Sequence, residues 1–354
     1  VGLTLEGVTK RVGPDAHVAP TSMTLERGTV NVLLGPTLAG KTTLMRLMAG
    51  LEAPSEGRLL FDGRDVTGLA VQKRNVAMVY QQFINYPALS VFENIASPLR
   101  IAGIAAAEIK RRVEEAAKLL RLEPYLKRTP LQLSGGQQQR TAIARALVKR
   151  ADLVLMDEPL ANLDYKLREE LREELPRIFA GSGAIFVYAT TEPTEALLLG
   201  GRTATLHEGR VTQFGPTPAV FREPNTLTTA AVFSDPPLNR FAAMRRGDVI
   251  ELAGAVSVPA EGRFARVPQG PFTIGVRAHQ IGIDEAGEGI AIRAAVKVSE
   301  IAGSESYVHL AVGEADYVVL TPGVRNIEPG EAVTMRLDPS RVLLFDPAGA
   351  RIAV

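Results

Sequence analysis

The chain contains no cysteine, which excludes a disulfide framework and any thiol chemistry. It also lacks an excess of charge: 40 Lys and Arg stand against 39 Asp and Glu, a formal net charge of +1. No strong field therefore points to nucleic acid or to an anionic membrane surface. Apolar runs are short, and none approaches the roughly 20 residues that a membrane-crossing helix needs. The first residues carry no basic-then-apolar signal pattern, and neither a solenoid-spaced repeat nor a low-complexity tract is present. These absences lead to the expectation of a soluble cytosolic protein, held at a membrane, if at all, by partners. At 354 residues the chain is too long for one ordinary core and suits two domains.

What is present divides near Asp235-Pro236-Pro237. Residues 1–235 read as alternating strands and helices. Val30 to Leu34 is an apolar run broken by Gly35, as expected of a buried parallel strand feeding a turn. Leu44, Leu47 and Met48 follow at helical spacing, and Ile109, Val113, Ala116 and Leu120 form a second helical stripe opposite Lys and Arg. Leu153 to Met156 and Ala184 to Ala189 read as further buried strands. Lys166 to Arg177 reads as a solvated helix face with Glu and Arg at ion-pairing spacing. Residues 236–354 instead alternate short β segments with Gly and Pro turns, at Phe272–Val276, Ala294–Val298, Tyr307–Val312, Tyr317–Leu320 and Ala332–Leu337, a pattern that suggests a small β-barrel.

Three motifs carry chemistry. Gly35, Pro36, Thr37, Leu38, Ala39, Gly40, Lys41 and Thr42, with Thr43 behind them, fit the phosphate-loop pattern. In such a loop glycines let backbone N–H groups turn inward at a helix N-terminus, lysine reaches the β- and γ-phosphates, and the hydroxyl of Thr42 can ligate Mg²⁺. Asp157 and Glu158 end a buried apolar run, so their carboxylates should emerge at the sheet edge beside the loop. Asp157 suits Mg²⁺, and Glu158 suits the polarisation of an attacking water. Two acids favoured by a helix macrodipole would be the plain alternative, which the preceding phosphate loop outweighs. Ser134, Gly135, Gly136 and Gln137 open a helical stretch with small residues and exposed N–H groups, a second phosphate-binding surface. One chain has little use for two such surfaces, so this one is expected to close on ATP bound by another subunit.

Taken in this order, the motifs resemble those of the ATP-binding subunits of ABC importers, in the carbohydrate and polyol uptake class, over essentially the whole chain. The resemblance implies an α/β P-loop NTPase with a helical subdomain, followed by an OB-like β-barrel that contacts its twin and regulates activity. It places Gln81 at the glutamine that contacts Mg²⁺ and water and reports to the membrane subunits. It places Ser134 to Gln137 at the family's signature motif, and Asp164, in Ala161-Asn162-Leu163-Asp164, at the aspartate of a loop that crosses the dimer interface. Phe83, Tyr86 and Phe92 fall where the family forms a groove for a short helix of each permease subunit. The implied cofactors are ATP and Mg²⁺. The implied setting is the cytoplasmic face of a bacterial inner membrane, with transmembrane permease subunits, a second ATPase subunit and, indirectly, a solute-binding protein, and without nucleic acid. The segments Val79 to Pro87 and Tyr188 to Leu197 are similar to those of one ATPase of bacterial glycerol importers.

Two departures stand out. The family has a switch histidine where this chain has Thr191, and losing a positioned donor of this kind typically costs on the order of 10²–10³ in rate. An unlike partner ATPase that carries the histidine would complete one of two composite sites, which favours a heterodimer over a homodimer. A threonine that suffices, or a nucleotide-sensing subunit with little hydrolysis of its own, are the other readings. The second departure is Val12, where the family stacks an aromatic ring on adenine, a contact worth roughly 1–3 kcal/mol. His17 is a candidate to compensate, although a lone histidine in a loop is usually solvent-exposed. His207, His279 and His309 have no evident ligand partners in the sequence and read as structural.

Overall fold

The runs of Val, Leu and Ile that read as buried strands form the middle of one parallel sheet. The computed structural model describes residues 2–82, 84–161, 163–180, 183–252, 256–284 and 289–353. Along the chain, β1 (Gly2–Val12) and β2 (Asp15–Glu26) pair antiparallel and lead into β3 (Val30–Leu34), whose five residues are all buried. Helix α1 (Lys41–Ala49) follows Gly40, and β4 (Glu56–Phe61), β5 (Arg64–Asp65) and β6 (Val76–Val79) come next. Three helices form the helical subdomain: α2 (Val91–Ile101), α3 (Ala106–Leu119) and α4 (Gly135–Val148). The chain returns through β7 (Leu153–Asp157), α5 (Tyr165–Ala180), β8 (Ile185–Thr190), α6 (Pro193–Leu199), β9 (Arg202–His207) and β10 (Arg210–Pro216).

The order β10-β9-β3-β8-β7-β6 makes a six-stranded sheet, parallel from β9 to β6. The sequence of this part reads as strand–helix alternation. In addition it holds a four-stranded antiparallel sheet, β2-β1-β4-β5. Leu3, Leu5, Val18 and Leu25 of that sheet share one core cluster with Leu44, Met45 and Leu47 of α1 and with Leu155 and Val187 of the parallel sheet. Helix α1 thus has apolar neighbours in both sheets, which fixes the helix that follows the phosphate loop.

Two compact units divide between Val220 and Phe221, ahead of the composition change at Pro236. The reason lies in the packing of the intervening residues. Helix α7 (Thr217–Arg222) straddles the division, and α8 (Leu227–Val232) belongs to the second unit, where Ala230 clusters with Leu238, Leu343 and Phe345. The backbone of Leu227 donates to Gly349 O at 2.8 Å, and that of Arg351 to Asn225 O at 2.9 Å.

The second unit continues with β11 (Asn239–Arg246), β12 (Val249–Leu252), β13 (Val256–Pro259), β14 (Gly270–Val276), β15 (Ile281–Ile283), β16 (Ile290–Ala302), β17 (Glu305–Val312), β18 (Ala315–Pro322), β19 (Ala332–Leu337) and β20 (Leu343–Phe345). Two five-stranded antiparallel sheets, β13-β12-β11-β14-β20 and β15-β19-β16-β17-β18, enclose a single core, the OB-like barrel-type arrangement expected from the short β segments. Phe241 and Tyr317 stack there with ring centroids 4.3 Å apart. Phe241 is fully buried, so Phe241→Ala should cost about 3–5 kcal/mol, seen as an earlier denaturant transition of the second unit.

Candidate functional site

The phosphate loop leaves β3 at Gly35, whose N–H donates to Thr190 O at 3.3 Å, and turns into α1 at Gly40 with φ 96°. A Cβ at Gly40 would stand 2.9 Å from the His17 carbonyl and 3.2 Å from Gly209 Cα, so the close approach of two backbones and the left-handed φ both require glycine. Leu38 adopts φ 67° and is 95% exposed. A branched side chain in this region costs roughly 1–2 kcal/mol, so the loop keeps its shape against local preference.

Lys41 is only 5% exposed. Its Nζ donates to Gly35 O at 2.7 Å and Pro36 O at 3.0 Å, and lies 3.6 Å from Glu158 Oε1. Thr42 Oγ1 donates to Asp157 Oδ2 at 2.6 Å, and Gln81 Nε2 donates to Glu158 Oε2 at 3.0 Å. Glu158 is itself held: its N–H donates to Ala189 O at 3.0 Å, and its φ is 45°. Lys41, Thr42, Gln81 and Glu158 line a cavity of about 510 Å³ with Thr37, Leu38, Ala39, Gly40, Thr43, Ala16, His17, Glu208 and Gly209, and Asp157 is joined to that lining through Thr42. Burial pushes the Lys41 ammonium below its ordinary value, opposed by the charges of Glu158 and Asp157. Burial raises the Asp157 carboxyl, opposed by the Thr42 hydroxyl and by Lys41.

The donor set fits a magnesium nucleotide. A buried ammonium beside a loop of backbone N–H groups suits polyphosphate. A hydroxyl touching a carboxylate offers the hard oxygens that Mg²⁺ prefers.

Other expected site residues stand elsewhere. Val12 is 52% exposed and pairs with Asp15 at the end of the β1–β2 hairpin. It is not among the described residues lining the cavity; the hairpin presents Ala16 and His17 there instead. Thr191 is exposed and also outside that lining, because Thr190 turns inward and its hydroxyl accepts from the N–H of Glu192 at 3.0 Å. Ser134, Gly135 and Asp164 are exposed, with Gly136 and Gln137 half-buried. Ser134 caps α4 in a capping box with Gln137, and Asp164 Oδ1 accepts from the N–H of Leu167 at 3.0 Å near the start of α5. Phe83 and Asn162 lie outside the described residues.

Sequence reading misses several contributors. Glu208 and Gly209 reach the cavity only because β9 lies beside β3, which no local motif announces. Gln139 is buried and its Nε2 donates to Pro159 O at 2.5 Å, tying α4 to the residue after Glu158. Arg172 falls within the stretch whose sequence reads as a solvated face, yet its side chain is 11% exposed and meets three carboxylates. The helical period that buries Leu167 and Leu171 was the available signal for Arg172.

A prediction follows for Asp157. A carboxyl raised by burial binds its proton more tightly in the folded state, so its ionisation opposes folding progressively as the pH rises above the ordinary value, and fully above the folded pKa. Asp157→Asn should therefore raise the melting temperature of the nucleotide-free protein at neutral pH. The gain should fade as the pH falls toward the ordinary aspartate value of 3.8; a thermal melt against pH checks it.

Comparison with known proteins agrees with this geometry. Residues 18–161 match the ABC transporter family model and residues 274–345 the TOBE domain model. The chain is 36% identical over 354 residues to the sn-glycerol-3-phosphate import ATP-binding protein UgpC of Ruegeria pomeroyi, covering 99% of both chains. It is 37% identical over 357 residues to the xylose/arabinose import ATP-binding protein XacK of Haloferax volcanii, covering 97% of this chain and 93% of that one. Among solved structures, the dimeric bacterial ABC transporter cassette MJ0796 is 29% identical with a TM-score of 0.57, covering 61% of this chain and 98% of that chain; it has also been solved in a post-hydrolysis state bound to ADP and Pi. With its phosphate loop, its Asp157-Glu158 pair and a TOBE domain behind them, the chain belongs to the ATP-binding, ATP-hydrolysing subunits of the ABC transporter family.

Proposed function

We propose that the chain is the ATPase motor of an importer for a solute of the sugar or polyol class. The observation that carries this reading is the convergence of Lys41, Thr42, Gln81 and Glu158 on one cavity, with Asp157 hydrogen-bonded to Thr42 beside them. Lys41 and the loop N–H groups would bind the phosphates. Thr42, Asp157 and Gln81 would hold Mg²⁺, which when bound neutralises phosphate charge. Glu158, oriented by Gln81, would accept hydrogen from the attacking water.

The relatives support the solute class without narrowing it: they are named for glycerol-3-phosphate, for xylose or arabinose and for oligosaccharides, at similar identities. Glycerol itself thus remains one member of the proposed class. The relatives give no support to an unlike ATPase partner, and we take a second copy of this chain as the partner that covers the signature surface. The TOBE-bearing unit would serve contact between the copies and regulation.

Membrane subunits would dock beside the segment that follows Gln81. A groove of about 240 Å³ is lined there by Val76, Met78, Tyr86, Ile101, Arg145 and Lys149, among others, and Ile84 and Ile101 are exposed by 58% and 85%. The same segment is anchored to the signature helix, since Asn85 Nδ2 donates to Gln138 O at 2.9 Å and Arg145 donates to the Ile84 carbonyl. A permease helix in this groove would therefore bear on both Gln81 and α4. Among the described residues no helix is long and apolar enough to cross a membrane, so attachment at the cytoplasmic face would come through those subunits.

The test is phosphate release from Mg²⁺-ATP by the purified chain. Glu158→Gln should lower turnover by about 10²-fold or more, within the range expected of a lost general base, while nucleotide still binds. Thr191→His should raise turnover by about tenfold or more if residue 191 limits the rate. Unchanged turnover in Thr191→His would mean that threonine suffices, and negligible turnover in parent and variant alike would favour nucleotide sensing.

A further inference from the structure

Beyond Thr190 the chain carries two carboxylates for which the ATP chemistry has no use. Glu195 is 4% exposed. Its Oε2 accepts from Thr190 Oγ1 at 2.6 Å and from the fully buried Tyr188 hydroxyl at 3.0 Å, and its Oε1 lies 3.0 Å from Arg172 Nη2. A carboxylate this deep is retained only when paired. The guanidinium of Arg172 also meets Glu192 Oε2 and Glu169 Oε1, each at 2.6 Å.

One turn earlier on α5, Arg168 reaches Glu192 as well. Its Nη2 donates to the carbonyls of Ala161 at 3.2 Å and Leu163 at 3.4 Å, and its Nη1 lies 3.6 Å from Glu192 Oε1. Residues four apart share a helix face, while Leu167, Leu171 and Leu175 fill the core. Two guanidiniums on one face thus join the loop that precedes Asp164 to the segment that carries Thr191. Both segments leave the chemistry directly, one after Glu158-Pro159 and the other after β8.

We propose that Arg168 and Arg172 are positioning residues that couple the partner-facing loop at Asp164 to residue 191, so that a second copy engaging that loop sets where residue 191 stands. The proposal rests on the ATPase reading given above. Pure support of the fold is the competing account. The Arg168–Glu192 pair separates the two: its side chains are 25% and 42% exposed, and pairs so placed contribute little to stability.

The experiment measures Mg²⁺-ATP turnover against ATP concentration for the full chain, with a thermal melt of each variant. Arg168→Ala should lower kcat by about two- to thirtyfold, the range such couplings span, with KM within about twofold and the melting temperature near that of the parent. Arg168→Lys, which keeps the charge, should recover part of the loss. Arg172→Lys and Glu195→Gln should lower kcat in the same manner if they remain folded. An active parent whose Arg168→Ala variant keeps its kcat, or loses it only in step with its melting temperature, overturns the coupling alone. A parent with no Glu158-dependent turnover overturns the ATPase reading, and the coupling with it.

Discussion

The site depends on four neighbouring strands, β6, β7, β8 and β3, running the same way. Parallel strands require crossovers that cover both faces of the sheet, and β3, β7 and β8 are buried at every residue. Their C-terminal ends therefore open at one edge. The segment after β6 brings Gln81, β7 ends in Asp157 with Glu158 next, β8 ends in Thr190, and β3 releases the phosphate loop. Because β8 separates β3 from β7, the loop lies two strand spacings, about 10 Å, from the carboxylates. Lys41 and Thr42 span that gap because α1 starts abruptly at Gly40, and α1 is held there by apolar contacts in both sheets.

That edge gathers charges which the fold alone accommodates poorly. Burial disfavours the ammonium of Lys41 and the carboxylate of Asp157 together. Two loop carbonyls and Glu158 hold the first, and the Thr42 hydroxyl with the charge of Lys41 holds the second. A polyphosphate would supply the negative charge that Lys41 faces, and a divalent cation the positive charge that Asp157 faces. The strained Leu38 and the left-handed Glu158 belong to the same bargain between fold stability and function, since backbone strain persists where the surrounding structure imposes it.

How much of this is legible in the sequence follows from how local each cause is. The phosphate loop, Asp157-Glu158 and the signature are contiguous, and their chemistry can be read from residue type and spacing. Val30 to Leu34 is legible because a strand buried on both faces has no polar alternation to blur it. The antiparallel sheet of β1, β2, β4 and β5 is missed because Thr, Lys and Glu alternate with its core residues and no turn motif marks its register. Residues 221–235 look like the end of a helical domain by composition, yet Ala230 packs with Leu343 and Phe345, over a hundred residues away in sequence. Arg172 is misread for the same reason: charge predicts exposure, and only the fold shows its guanidinium paired with the buried Glu195. Val12 illustrates the converse, a position assigned by resemblance that is not among the described residues lining the cavity.

The signature helix supplies the argument for a second chain. Its capping box uses the N–H of Ser134, which donates to Gln137 Oε1 at 3.0 Å, and the N–H of Gln137, which donates to Ser134 Oγ at 3.3 Å. The N–H of Gln138 goes to the Ser134 carbonyl at 3.0 Å. Gly135 and Gly136 remain, first-turn donors for which a helix offers no carbonyl, at the positive end of the macrodipole and with no side chain to keep an anion away. Neither glycine is among the described residues lining the cavity that holds Lys41. A phosphate bound by Gly135 and Gly136 would therefore belong to a nucleotide held by a different phosphate loop. In the homodimer proposed above, a second copy of this chain would bring such a loop and offer its own Gly135 and Gly136 in return, so that one surface, used twice, would complete two sites.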